Sequence, residues 1–368
     1  MSHTPMQVRY QQREDLFFQR LKERVHGYFR EHAYSTYANP AFFIKAGVLV
    51  SLYVGCYLMI WLLGSQVGWL FLGYMGMGAL AILVGLNLAH DAAHGTISPH
   101  RKVNQAFCMV FDLLGANSFM WRNRHVFAHH AFPNVLDQDS DIQQVDFVRI
   151  FPHAEKLKVH KWQHIYMPFV YLLYTLHWLW RRDFTDFWAN NIGAFKAGKI
   201  PSREYLKLIG FKLLYLTYVL ILPLIWVPQP AWVIVLAFIA MNMTASMVIA
   251  VALVSAHVGE DAVFPQVDRE GKLPYTWAEH QLITTADFAT QNPVVNFLFG
   301  GFNHHVVHHL FPRICHIHYP ALTPMVAETA AEFGLPYHCE PLVSQAILSH
   351  WRLLRERGWN SWQMDEEW

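Results

Sequence analysis

The chain has 368 residues, of which 54% are hydrophobic, 15% aromatic and only 15% charged, and its formal net charge is +1. This is too apolar for a pair of soluble domains, so an integral membrane protein is expected. The near-zero net charge gives no footing for a nucleic-acid partner. Four scattered cysteines (Cys56, Cys108, Cys315, Cys339) with no CxxC support neither a disulfide framework nor a thiolate metal site.

In chain order, residues 1–40 are a polar, basic tail, with Arg13, Arg20, Lys22, Arg24 and Arg30 around Leu16, Phe17, Phe18, Leu21 and Val25. That pattern suits an amphipathic helix lying on a membrane surface or packed on the body of the protein. The length of this polar segment argues against a cleaved signal peptide. Runs at 42–63 and 67–89 can each cross a hydrocarbon core of roughly 30 Å as helices. A second pair follows at 206–226 and 231–256, and the links 64–66 and 227–230 carry no charge. Basic residues gather instead in the tail, between residues 90 and 205, and near the C-terminus, so both hairpins are expected to enter from the cytoplasm and return to it.

Two shorter apolar runs, 106–121 and 165–180, are interrupted by Asp112 and His177. If either crossed the membrane alone, the histidine groups described next would fall on opposite sides. Both are therefore read as interfacial helices, with Trp178 and Trp180 at headgroup level beside Arg181 and Arg182. After residue 313 the chain is soluble in character, and 342–357 has the periodicity of an amphipathic helix that caps the cytoplasmic side. The expected organisation is a tail over 1–40, a membrane domain over 41–355 and a C-terminal tail over 356–368.

Eight of the 23 histidines fall into three groups. HDAAH spaces His90 and His94 at i, i+4. RHVFAHH spaces His125, His129 and His130 at i, i+4, i+5. GGFNHHVVHHLFP spaces His305, His308 and His309 at i, i+3, i+4. On a helix these spacings put the imidazoles on one face, free to converge on a metal. His257 joins them because the fourth crossing returns it to the same plane. Imidazole suits zinc, copper, nickel and iron, but eight exceed what one tetrahedral zinc accepts, so two ions are implied. A dinuclear iron site at a membrane surface can use dioxygen to attack an unactivated C–H bond, which no side-chain acid or base can do alone. Asp91 is placed to accept an N–H from a ligand ring. Asp137, Asp139 and Asp141 form an acidic run whose spacing could orient ligand rings, a solvated loop being the preferred reading, and the other histidines read as structural or surface groups, with His280 and His304 the leading exceptions.

The three groups, together with VSAHVGEDAVFP (254–265), WAEHQLITTADFA (277–289) and HLFPRICHIHYPAL (309–322), resemble the integral-membrane fatty acid desaturases. They are most similar to the branch containing front-end acyl-lipid and acyl-CoA desaturases and their bacterial relatives. The resemblance covers about residues 40 to 355. It implies an all-α membrane protein with four transmembrane helices under a cytosolic helical cap. It also implies a non-haem diiron centre that uses O2 and two electrons to insert a cis double bond into a fatty acyl lipid or acyl-CoA. His90, His94, His125, His129, His130, His305, His308 and His309 match the family's boxes, and His257 a further ligand. In the front-end branch the position of His305 is usually glutamine. The second box has three residues between His125 and His129 where many relatives have two, which leaves one of that triplet open to displacement. No His-Pro-Gly-Gly haem motif is present, so a separate ferredoxin or small cytochrome is the expected donor, at a bacterial inner membrane. The alternatives are a lipid or carotenoid hydroxylase or ketolase and, more remotely, a metal transporter.

Overall fold

The structure, a computed structural model, describes residues 8–196 and 198–360. Helix α1 (Leu16–Glu31) starts on an Asp15 cap, whose carboxylate accepts from Phe18 N at 2.9 Å. It packs Phe17, Leu21, Val25 and Phe29 onto Val306, Leu310, Leu322 and Val326, and Arg13 pairs with Glu279 at 2.6 Å. Of the two placements open to this segment, the structure takes packing on the body of the protein. The part of the expected tail at 361–368 lies outside the described residues.

Four helices are long and apolar enough to cross a membrane: α2 (Pro40–Leu63), α3 (Val67–His94), and, after a series of short helices that includes α4 (Arg101–Cys108) and α5 (Ser118–Arg124), the pair α6 (Ser202–Trp226) and α7 (Ala231–His257). Helix α2 begins where the Asn39 side chain accepts from Phe42 N at 3.1 Å and Pro40 occupies the first turn. Helix α3 runs past the expected end at 89 because a π turn at Gly85–Ala89 continues the helix without a break. One rod therefore carries both the crossing and the first histidine pair. The links between paired helices meet, for Gln229 Nε2 donates to Gly64 O at 3.1 Å and Ser65 O at 2.5 Å. Both hairpin tips thus lie together at one end of the bundle, and the histidines lie at the other.

The two shorter runs are broken. The first divides at Gly115, whose φ is +89°. The second divides into Gln163–Tyr171, Tyr174–His177 and Trp178–Arg182. The last two pieces join through a π turn and run on to Trp188 as one rod of 15 residues, about 22 Å at 1.5 Å per residue, too short to span. The second run is not a straight surface helix, since Thr175 donates to Asn242 O at 2.8 Å and meets Ser246 Oγ at 2.9 Å, well along α7. The cap is completed by α8 (Trp277–Ile283), α9 (His305–Leu310), α10 (Tyr319–Glu332) and α11 (Val343–Trp359), the last running through the boundary expected at 355. Among the described residues strands occur only as two short pairings.

Helix α3 is central, packed between α2 and α7. A Cβ on Gly78 would stand 2.1 Å from the Met241 carbonyl oxygen, so the α3–α7 crossing depends on a bare backbone there. Gly78→Leu should lower the thermal midpoint in detergent, overpacking typically costing about 1–3 kcal/mol. Gly47→Leu, where a Cβ meets nothing within 4 Å, is the control. Equal midpoints for the two variants would contradict this packing.

Candidate metal centre

Four separate segments deliver the nine histidines singled out in the sequence. The end of α3 carries His90 and His94. A π turn after α5 carries His125 and His129, with His130 N bonded back to His125 O at 3.0 Å. The end of α7 carries His257, and α9 carries His305, His308 and His309. The structure brings all nine together. Ring nitrogens of His90, His94, His125 and His308 lie within 4.8 Å of one another, as do those of His129, His257, His305 and His309. His130 joins His308 and His309 in a third such group and so sits between the two sets. The extra residue in the second box displaces none of its histidines, because the π turn absorbs it.

The rings are held from behind. His129 Nδ1 donates to Asp139 Oδ1 at 2.9 Å, and His125 Nδ1 to Asp141 Oδ2 at 3.2 Å. His257 Nδ1 donates to Thr284 O at 3.1 Å, and His309 Nδ1 to Gln281 Oε1 at 2.8 Å. Each of these partners is an acceptor, so the ring proton stays on Nδ1 and Nε2 presents a bare lone pair. Yet His129 Nε2 stands 3.0 Å from His257 Nε2, and His257 Nε2 stands 2.8 Å from His305 Nε2. The His90–His125 and His305–His309 approaches are 3.1 and 3.2 Å. His94 Nε2 and His308 Nε2 are buried with no partner at all.

At His129–His257, where both tautomers are fixed, two lone pairs face each other, and a proton between them would have to charge a ring in a buried space. Burial and mutual proximity instead hold His125, His130, His305, His308 and His309 well below the ordinary histidine range. His129 alone of the cap group is raised: burial acts against the charged form, but Asp139 outweighs it. A cation within each set of four satisfies all the contacts together. The donor set therefore fits two metal ions, and its all-imidazole character suits a transition metal.

Corrections to the sequence reading concern the partners. Asp139 and Asp141 are not a solvated loop: Asp139 is buried, and its carboxylate also accepts from Asn134 N, Asp141 N and Ile142 N. Asp91 Oδ1 lies 3.6 Å from His90 Nδ1, beyond hydrogen-bond reach. Its Oδ2 instead accepts from His316 Nδ1 at 2.8 Å and from the Cys315 thiol at 3.0 Å, and His316 Nε2 in turn meets Lys45 Nζ at 2.9 Å. His316 is thus a buried link in the support of the first box. His280 donates to Pro133 O at 2.9 Å, and His304 bonds Thr323 and Asn296. Burial lowers both to about 4, which keeps them neutral and structural. Gln281 carried no spacing signal in the sequence, its partner being 28 residues away.

An apolar cavity reaches the site from the membrane side. It runs between α3 and α7 from His125, Trp121 and Phe302 to Met77, Met241 and Tyr215. Met77 precedes His90 on α3 by about 20 Å of helix at 1.5 Å per residue. Trp121 stacks on His125 with ring centroids 4.5 Å apart, and Phe302 lies 4.7 Å from His90, so aromatic walls line its upper end.

Residues 61–341 match the family model described as fatty acid desaturase. The chain is similar to the sn-1 linoleoyl-lipid 6-desaturase of Synechocystis sp., at 34% identity over 351 residues, covering 92% of this chain and 94% of that protein. It is 32% identical to the enzyme of the same name from Arthrospira platensis over 356 residues, covering 94% and 93% of the two chains. It is also 31% identical to the acyl-lipid (8-3)-desaturase of Physcomitrium patens, covering 95% of this chain and 73% of that protein. The apolar crossings, the histidine cluster and these likenesses together establish that the chain belongs to the fatty acid desaturase family, as an oxidoreductase acting as a desaturase.

Proposed function

We propose that the protein is an acyl-lipid desaturase of the front-end type, placing a cis double bond in a fatty acyl chain held in the α3–α7 cavity. The observation that carries this reading is the meeting of that cavity with nine converging imidazoles. His90, His94, His125 and His308 would hold one iron, and His129, His257, His305 and His309 the other, with His130 between them. When bound, the two irons would supply O2 activation, for which no side chain of this chain is competent. The overall change takes two hydrogens from adjacent methylenes, consumes O2, two electrons and two protons, and releases two waters.

The protein's own groups do the positioning. Asp139, Asp141, Thr284 and Gln281 fix ring tautomers so that lone pairs face inward. Trp121 and Phe302 exclude water from the end of the acyl cavity, and Met77, Met241 and Tyr215 bound its depth. The electrons would come from a separate ferredoxin or small cytochrome. The histidine end would face the cytoplasm, since both hairpin tips at the other end are uncharged and basic residues cluster around the cap. The setting proposed is a bacterial inner membrane.

Protein purified in an active state should carry close to two irons per chain by elemental analysis. A single zinc per chain would contradict the assignment. Gln281 is fully buried against His309, so Gln281→Leu should lower iron occupancy or activity by about 10–100-fold, whereas Gln281→Glu, which keeps an acceptor, should retain most of it. Unchanged occupancy and turnover in Gln281→Leu would remove this residue from the support of the site. For topology, a cysteine at exposed Ser65 in a Cys339→Ser background should label from outside the cell. The native Cys339, exposed on the cap, should label only from the cytoplasm. The reverse pattern would overturn the orientation.

A further inference from the structure

A second concavity, about 700 Å³, lies between the turn after the first histidine box, α4, α5 and the start of α6. Arg101, Lys102, Arg122, Arg203 and Lys207 line it, and Glu204 is its one carboxylate. Glu204 is spent on its neighbours, pairing with Arg203 at 3.0 Å and Lys207 at 3.4 Å. Among the described residues, no carboxylate comes within ion-pair distance of Arg101, Lys102 or Arg122.

The placement of two of these cations is unfavourable as it stands. Arg101 and Lys102 occupy the first turn of α4, which has no acidic residue and no side-chain cap. Helix N-termini carry partial positive charge and favour anions there, so a pair of cations in that turn is repelled unless something negative sits beside it. An anion in the cleft reverses the sign of that interaction and meets Arg122 and Arg203 as well.

Two features indicate that the anion belongs to a lipid. Charge gives way to exposed apolar surface at the mouth of the cleft: Met109 lines it and is exposed, and Leu206, one residue before Lys207 on crossing α6, is 77% exposed. An amphipathic ligand spans such a boundary, whereas a soluble anion gains nothing from it. The floor of the cleft is Ala92, Ala93 and Gly95, which flank His94, and Arg122 Nε donates to Ala93 O at 3.0 Å. His94 is the one histidine of the nine that is not fully buried.

We propose that this cleft binds the phosphate of the glycerophospholipid that carries the acyl chain, a reading that rests on the desaturase assignment. Arg101 and Lys102 clamp the phosphate at the membrane surface, beside the box that holds His94.

The test compares the protein with its Arg101→Gln, Lys102→Gln double variant in nanodiscs, with reduced ferredoxin and the same acyl chain offered on phosphatidylglycerol, on a neutral galactolipid, or as soluble acyl-CoA. The variant should raise KM for the phosphatidylglycerol-borne chain by roughly tenfold, leave kcat unchanged, and leave KM for the galactolipid-borne chain unchanged. The KM of the unmodified protein for phosphatidylglycerol should rise with ionic strength, with a flatter dependence in the variant. Equal effects on both lipids, no effect on either, or an effect confined to acyl-CoA would each overturn the proposal. Retention of spin-labelled phosphatidylglycerol, read by electron paramagnetic resonance, should fall in the variant and reports on the cleft without turnover. Absence of product from every carrier in the iron-loaded unmodified protein would instead defeat the desaturase reading.

Discussion

Nitrogen lone pairs held face to face in a buried space are the constraint around which this molecule is arranged. Neutral imidazoles do not pack that way by preference, and four of the rings, His125, His129, His257 and His309, are turned inward by an acceptor behind them: a carboxylate, an amide oxygen or a backbone carbonyl. A cation within each set of four would offset the cost of bringing such rings together. Four chain segments far apart in sequence must therefore end within a few ångströms of one another. The long helices, the two π turns beside the boxes and the cap all serve that convergence.

The membrane helices solve a second problem with the same parts. An acyl chain has no polar handle along its length, so only a narrow apolar cavity can bring a chosen carbon to the metals. Helices α3 and α7 both line that cavity and both end in site histidines. Depth in the cavity and distance from the histidine cluster are thus one coordinate, and the close crossing at Gly78 sets the spacing of the walls. The buried lysines of the crossings are both partnered. Lys45 meets His316 and the Asn296 carbonyl, and Lys212 pairs with Asp183 at 2.6 Å. Lys212 stands ten residues into α6 but is neutralised by Asp183, and the histidines lie at the ends of α3 and α7 and not at mid-membrane, where a metal transporter would hold its ions.

Hydropathy and helical spacing made the four crossings and all nine histidines legible before any coordinates, because each signal is local to one helix or one turn. What escaped was carried by loops and by distant partners. Asp139 and Asp141 sit in an irregular segment, where an acidic run has the composition of solvated surface, and only the fold turns them onto His129 and His125. Gln281 and His316 have no periodicity that marks them, since their partners come from other segments. The π turns have no sequence signature of their own, so the longer second box looked able to carry one of its histidines away from the cluster, whereas all three lie within it. The N-terminal helix was ambiguous because one apolar stripe suits a membrane surface and a protein surface equally, and its contact with Val306 and Leu310 is tertiary information.

The central claim is that the histidines enclose a pair of metal ions, and iron-edge X-ray absorption on an active preparation tests it most directly. The account predicts a first shell dominated by imidazole nitrogen, with the outer-shell pattern of histidine rings and an iron–iron scattering path. A shell dominated by oxygen, or isolated iron with no second metal within scattering range, would contradict it.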